Sequence, residues 1–305
     1  MGRKTALLFP GQGSQHLGML DGVPENEDLS RLLDAAEALS ELRLRSIATS
    51  GPEEDLADTR AAQPLLYLAD WAWGVALIEG GIEPQAVAGH SLGEIAALAI
   101  AGVFSVEAGL ELVIERSQLM ASAARSADGS MSAVIGLDAG AISEALREID
   151  GVWLANDNAP GQIVISGRSE AVDAAGPALT ARGARKVVPL KVAGAFHSPL
   201  MERARSSFAD ILVDAEFADA WIPVYQNTAP EATLDGDLIR RRLIDQIASP
   251  VRWTETMQNL VSDGVAFTVE AGPGSVLTGL AKRVNGLSIL SAEAVGLDRV
   301  LEEVS

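Results

Sequence analysis

Apolar and polar positions along this chain follow two rhythms. Over roughly the first 125 residues, short apolar runs of strand length alternate with longer stretches whose apolar residues recur every three to four positions. That alternation predicts strands and helices in turn, as in an α/β domain. A strand over 5–9 leads into the loop Pro10-Gly11-Gln12-Gly13-Ser14-Gln15, helical patterns occupy 28–49 and 61–80, a short apolar run at 85–88 reads as a strand with a helix behind it, and another helix covers 106–124.

Between 131 and 192 the rhythm changes. The pattern predicts strand 131–137, helix 141–149, strand 153–156, strand 162–166, helix 170–182 and strand 186–192. This βαββαβ order is the ferredoxin-like unit, here set inside a larger domain. The first rhythm then resumes, with helical character over 195–213, a strand at 224–227, helices at 236–246 and 254–264, a strand at 266–270 and a last long element at 276–283.

The apolar run at 85–88 delivers Gly89-His90-Ser91-Leu92-Gly93, a serine between two glycines immediately ahead of a helix. Small flanking residues let the backbone turn sharply, lifting a serine hydroxyl clear of a sheet and aiming the first helical N–H groups at whatever it attacks. The same residues also fit a capping box, with Ser91 at the cap and Glu94 three positions on, which requires no chemistry. With the elbow, the expected architecture is an α/β-hydrolase-like large domain, residues 1–128 and 196–305, with a ferredoxin-like subdomain inserted at 129–195.

Composition narrows the chemistry. The chain has 305 residues, 48% of them apolar, enough for a substantial core. No apolar stretch reaches the roughly 18 residues a membrane span needs, and the N-terminus lacks the apolar region of a signal peptide, so a cytoplasmic protein is expected. With no cysteine, covalent chemistry of this kind falls to serine. The histidines His16, His90 and His197 are too few and scattered for a metal site, so no metal is expected. A formal charge of −19 disfavours nucleic acid and anionic membrane as partners. An acidic partner would need a local basic patch, for which Arg182, Arg185, Lys186 and Lys191, or Arg240 to Arg242, are the candidates.

Ser91 needs a base. His90, its neighbour on an extended backbone, points to the opposite face. His16 lies in a loop of open position. His197 stands where the inserted unit returns to the large domain, at a junction where a cleft forms, and is the best partner available. No acid completes a triad, so a dyad oriented by something other than a carboxylate is expected. Arg116 has Leu112, Val113, Leu119 and Met120 at three and four positions, so it projects from the buried stripe of its helix. Either a distant acid pairs with it or its planar fork holds a substrate carboxylate.

Together these stretches resemble the malonyl-CoA:acyl carrier protein transacylases and the acyltransferase domains of polyketide synthases. The likeness runs in order through Phe9 to Gln15, Gly89 to Glu94, Arg116 to Met120, Asn156 to Gly167, Phe196 to Met201, Gln246 to Trp253 and Glu270 to Gly274. It implies transfer of malonyl from malonyl-CoA to the phosphopantetheine thiol of acyl carrier protein, for fatty acid biosynthesis, by a ping-pong route through a malonyl-serine, with no cofactor and as a monomer. By the same likeness Ser91 is the nucleophile, His197 its base, and Arg116 the carboxylate clamp. The N–H groups of Gln12 and Leu92 form the oxyanion hole, and Gln246 marks the main-chain carbonyl that orients the histidine. Asn158 matches a position near the acyl site, although Asn-Ala-Pro-Gly also reads as a turn. Phe196, before the histidine, implies selection of malonyl over methylmalonyl. Service to a polyketide synthase or malonate decarboxylase, a serine hydrolase and a non-catalytic acyl-CoA-binding subunit are the alternatives.

Overall fold

The computed structural model describes residues 4–304, so Met1 to Arg3, part of the segment read for a signal peptide, lie outside the described residues. Two sheets organise it. The larger has five parallel strands in the order β7-β2-β1-β8-β9: β1 is Thr5–Phe9, β2 Ala86–Gly89, β7 Val224–Tyr225, β8 Phe267–Glu270 and β9 Ser288–Ser291. β1 and β2 are buried along their whole length and read as unbroken apolar runs, as strands covered on both faces must. Helices Thr59–Glu79, Leu92–Ile100 and Val106–Ser126 pack on the large core that includes Leu7, Phe9 and Val87, while Trp253, Met257 and Leu277 cover Ala6, Leu8 and Ala88.

The smaller sheet is antiparallel, in the order β4-β5-β3-β6, with β3 at Gly129–Ile135, β4 at Val152–Ala159, β5 at Gln162–Arg168 and β6 at Lys186–Pro189. With helices Ala139–Leu146 and Ser169–Ala181 it realises the expected βαββαβ order and buries Val134, Ile142, Ile165 and Leu179 in a core of its own. β4 runs three residues beyond the predicted 153–156 and bridges the large domain: the Asp157 N–H donates to the Val251 carbonyl, the Val251 N–H to Ala155, and Thr254 Oγ1 to Asp157.

Several sequence expectations are corrected. The stretch 195–213 is not helical throughout: a 3-10 turn, Pro199–Met201, precedes helix Glu202–Asp214, and His197 sits before both at φ +55°. Pro199 has no N–H and forces Ser198 into an extended conformation, so a helix cannot pass through. The pattern at 28–49 divides into Glu27–Ser40 and Leu44–Ser50 because Glu41 turns left-handed at φ +58°. Residue 283 does not end the regular structure, since β9, Ala292–Val295 and Leu297–Val304 follow. These last elements are short, and exposure on one side breaks up their apolar pattern.

Candidate active site

The loops at the carboxyl ends of β1, β2, β7 and β8 converge, which is where open parallel sheets place their ligand crevices. Ser91 stands at the end of β2 with φ +52° and ψ −104°, a conformation that costs a non-glycine residue about 1–3 kcal/mol. The flanking glycines make the bend sterically possible. A Cβ on Gly89 would fall 1.9 Å from the Gly93 carbonyl carbon, and one on Gly93 would fall 2.1 Å from the Phe9 carbonyl oxygen. The capping-box reading fails. Ser91 makes no side-chain cap bond, and Glu94 instead accepts from the Asn227 N–H at 2.7 Å and from Gln226 Nε2 at 3.2 Å.

His197 reaches Ser91 from the far side of the junction, with Nε2 2.8 Å from Oγ. Its Nδ1 lies 3.0 Å from the main-chain carbonyl of Gln246. A carbonyl only accepts, so Nδ1 carries the proton and the Nε2 lone pair faces the serine hydroxyl. Burial, reinforced by the positive charge of Arg116, pushes the imidazole down to about 3, so at neutral pH it is an uncharged base.

Arg116 is fully buried. Its Nη1 donates to Gln63 Oε1 at 2.8 Å, and its Nη2 donates to Gln246 Oε1 at 2.8 Å and to Ser91 Oγ at 3.1 Å. No carboxylate pairs with it directly among the described residues, and Nε has no partner. Burial lowers the guanidinium to about 10, partly opposed by the Glu94 carboxyl, and leaves it cationic at neutral pH. The distant-acid alternative therefore reduces to Glu94, which touches the peptide chain and glutamine rather than the guanidinium and is itself pushed up to about 7 by burial.

The remaining predicted residues fall nearby. The Leu92 N–H opens the elbow helix, and neither it nor the Gln12 N–H donates to an acceptor among the described residues. Gln12 follows Gly11, whose added Cβ would lie 2.3 Å from the His90 carbonyl oxygen, so the β1 loop presses on the elbow. Asn158 belongs to β4 rather than to the turn, and its Oδ1 lies 2.7 Å from His90 Nε2, joining the small sheet to the elbow. His90 also packs edge-on against Trp253 and takes no part in the Ser91 pair. Phe196 is buried beside His197 in sequence. His16 is exposed and pairs with Glu293.

Sequence reasoning missed Gln63, Asn227 and the use made of Glu94. The signals were there: Gln63 is a polar residue within an apolar helical run, and Gln226-Asn227 follow a parallel strand at its carboxyl end. Cavity shape did not point here, because a cavity of about 1460 Å³ lies elsewhere and is lined by Phe104, Leu112, Ile211 and Phe217.

A strained serine at the end of a parallel strand and the start of a helix, touching a neutral imidazole and a buried guanidinium, defines a class of α/β protein built for acyl transfer. Comparison with known proteins places the chain within that class. The acyl transferase domain family matches residues 6–299, and the chain belongs to that family. The malonyl CoA-acyl carrier protein transacylase of Synechocystis sp. is 44% identical, over 92% of this chain and 93% of the relative. That of Bacillus subtilis is 39% identical, over 92% and 90% respectively. Among solved structures, a malonyl-transacylase in complex with a type II polyketide synthase acyl-carrier protein superposes with a TM-score of 0.91, at 39% identity over 98% of this chain and 99% of that one.

Proposed function

We propose that this chain transfers a malonyl group from malonyl-CoA to the phosphopantetheine thiol of acyl carrier protein, in fatty acid biosynthesis in the cytoplasm, through a malonyl ester on Ser91. The observation that carries this reading is the buried, cationic Arg116, held by two glutamine oxygens and touching the serine hydroxyl that would bear the acyl group. A guanidinium so placed pairs with the free carboxylate of a malonyl group and has no such partner in an acetyl group.

In the first half-reaction, His197 Nε2 takes the proton of Ser91 Oγ as the oxygen attacks the thioester carbonyl. The Leu92 and Gln12 N–H groups receive the developing oxyanion, and the coenzyme A thiolate leaves with the proton from His197. In the second, His197 deprotonates the carrier thiol, which attacks the ester carbonyl, and the Ser91 oxygen leaves as the hydroxyl with that proton returned from His197. Serine, imidazole, backbone N–H groups and guanidinium supply every step, so no cofactor is required. The carrier is expected on the exposed edge strand β6, where Arg185, Lys186 and Lys191 are solvent-facing. Arg240 and Arg242 are engaged internally, the first over the Phe217 ring and on the Ala215 carbonyl, the second on Glu231.

The test is a two-stage transfer. The malonylated enzyme, freed of malonyl-CoA, is mixed with carrier bearing its phosphopantetheine arm. Malonyl should move from enzyme to carrier much faster than it appears as free malonate, whereas faster release as malonate would make the protein a hydrolase.

Selectivity at the second carbon of the acyl group is assigned to Phe196. A pocket wall that excludes one methyl group discriminates by about 10-fold or more. Phe196→Ser is therefore expected to raise the ratio of methylmalonyl to malonyl acylation rates about 10-fold, read by competition between the two thioesters, and an unchanged ratio would remove Phe196 from that role.

A further inference from the structure

We infer that Asn227 is a positioning residue for the acyl-transfer step, its carboxamide clamping both sides of the Ser91 bend. This rests on Ser91 being the nucleophile, as proposed above. The Asn227 Oδ1 accepts from the Ser91 N–H at 2.7 Å, and Nδ2 donates to the Gly89 carbonyl at 2.6 Å. One planar amide thus bridges the last residue of β2 and the residue that begins the turn. Its own N–H is fixed in turn by the Glu94 carboxyl at 2.7 Å, one helical turn beyond Ser91. Gln246 holds the next link, donating from Nε2 to the Ser91 carbonyl at 3.0 Å. That carbonyl belongs to the same peptide as the Leu92 N–H, so its orientation sets where the oxyanion donor points. Asn227 is buried, so its bonds face no competition from solvent.

The positive φ of Ser91 is the reason such a clamp is needed. Left to itself a serine relaxes toward negative φ, which would swing the Leu92 N–H and Oγ out of register with His197. Asn227 is far from the reacting carbonyl in bonding terms and acts through the backbone.

Substitution by aspartate gives a sharp test, because a protonated carboxyl reproduces the amide: one oxygen accepts from the Ser91 N–H and the O–H donates to the Gly89 carbonyl. Ionised, it loses the donor and sets a negative charge against a carbonyl oxygen. Single-turnover malonylation by excess malonyl-CoA is followed by rapid quench and intact mass. The amplitude counts folded, competent enzyme, and the rate constant reads the positioning. For Asn227→Asp the ratio of its rate constant to wild type should approach one at low pH and fall about tenfold per pH unit above the pKa of the new carboxyl. Asn227→Ala, lacking both bonds, should acylate about 10²-fold more slowly at every pH, the scale of a lost oxyanion donor.

A pH-independent rate ratio for the aspartate variant overturns the inference. So does a loss of amplitude in either variant with an unchanged rate constant, which would make Asn227 a folding residue only. If wild type itself gains no malonyl on Ser91, the proposed function fails first, and that result is distinct from both.

Discussion

Replacing His197 with alanine is expected to slow malonylation of Ser91 by about 10⁴-fold, near the upper range for loss of a general base. The structure offers no substitute: His90 is committed to Asn158 and Trp253, and His16 to Glu293. Binding of malonyl-CoA should be nearly unchanged, because the guanidinium remains. The pH dependence of the intact enzyme carries the same message. With the imidazole pushed down to about 3, its base form is already complete above that value. Lowering the pH from 8 to 5 therefore leaves His197 unprotonated, so His197 contributes no fall in acylation rate near the ordinary histidine value of about 6.5, although Glu94, pushed up to about 7, titrates in this window. Rapid-quench rates across this range in Glu94→Gln, which removes that titration, check it, and a tenfold drop per unit below 6.5 in this variant would mean that the base is less buried than the structure shows.

Arg116→Ala is the second large effect. Malonyl loading should fall by about 10³-fold, the scale of removing a buried charged partner from a carboxylate. Acetyl loading, which has no carboxylate to lose, should fall far less. The residual acetyl activity will not equal that of wild type, because Gln63 Oε1 and Gln246 Oε1 are left without their donor and Gln246 also supports the Ser91 carbonyl and the His197 ring. Arg116→Lys should not restore malonyl loading, since an ammonium cannot satisfy both glutamines and present a fork to the substrate. Competition between malonyl-CoA and acetyl-CoA, read as the two mass increments on the enzyme, gives the ratio directly. Equal losses for both would refute the clamp.

Much of this site was legible in the residues because it is local. The elbow is a pentapeptide whose glycines are required by contacts of about 2 Å, and Arg116 declared itself as a charge among apolar helical neighbours. His197 could be chosen by elimination among three histidines. The element order of the small sheet and four of the five strands of the large one were also legible, β9 being missed, since strands buried on both faces and half-exposed ones leave different apolar rhythms. What sequence pattern could not supply was the set of long-range polar partners. Gln63, Asn227 and Gln246 reach the site across 53 to 155 positions of chain, and no periodicity encodes which carbonyl or amide they meet. The left-handed turns at His197 and Glu41 were missed for a related reason: tertiary contacts impose them on residues whose own preference is ordinary. The reading of 195–213 as helix shows the consequence, for the base lies in the irregular segment that helical periodicity passed over.

All of this depends on Ser91 carrying the acyl group. Intact-mass measurement of the protein after brief mixing with malonyl-CoA tests it most directly, with Ser91→Ala alongside. The structure predicts one malonyl-sized increment on the wild-type chain, mapped to the peptide containing Ser91 and absent from the variant. An increment of the same size on Ser91→Ala, or none on wild type although malonyl-CoA binds, would contradict the account.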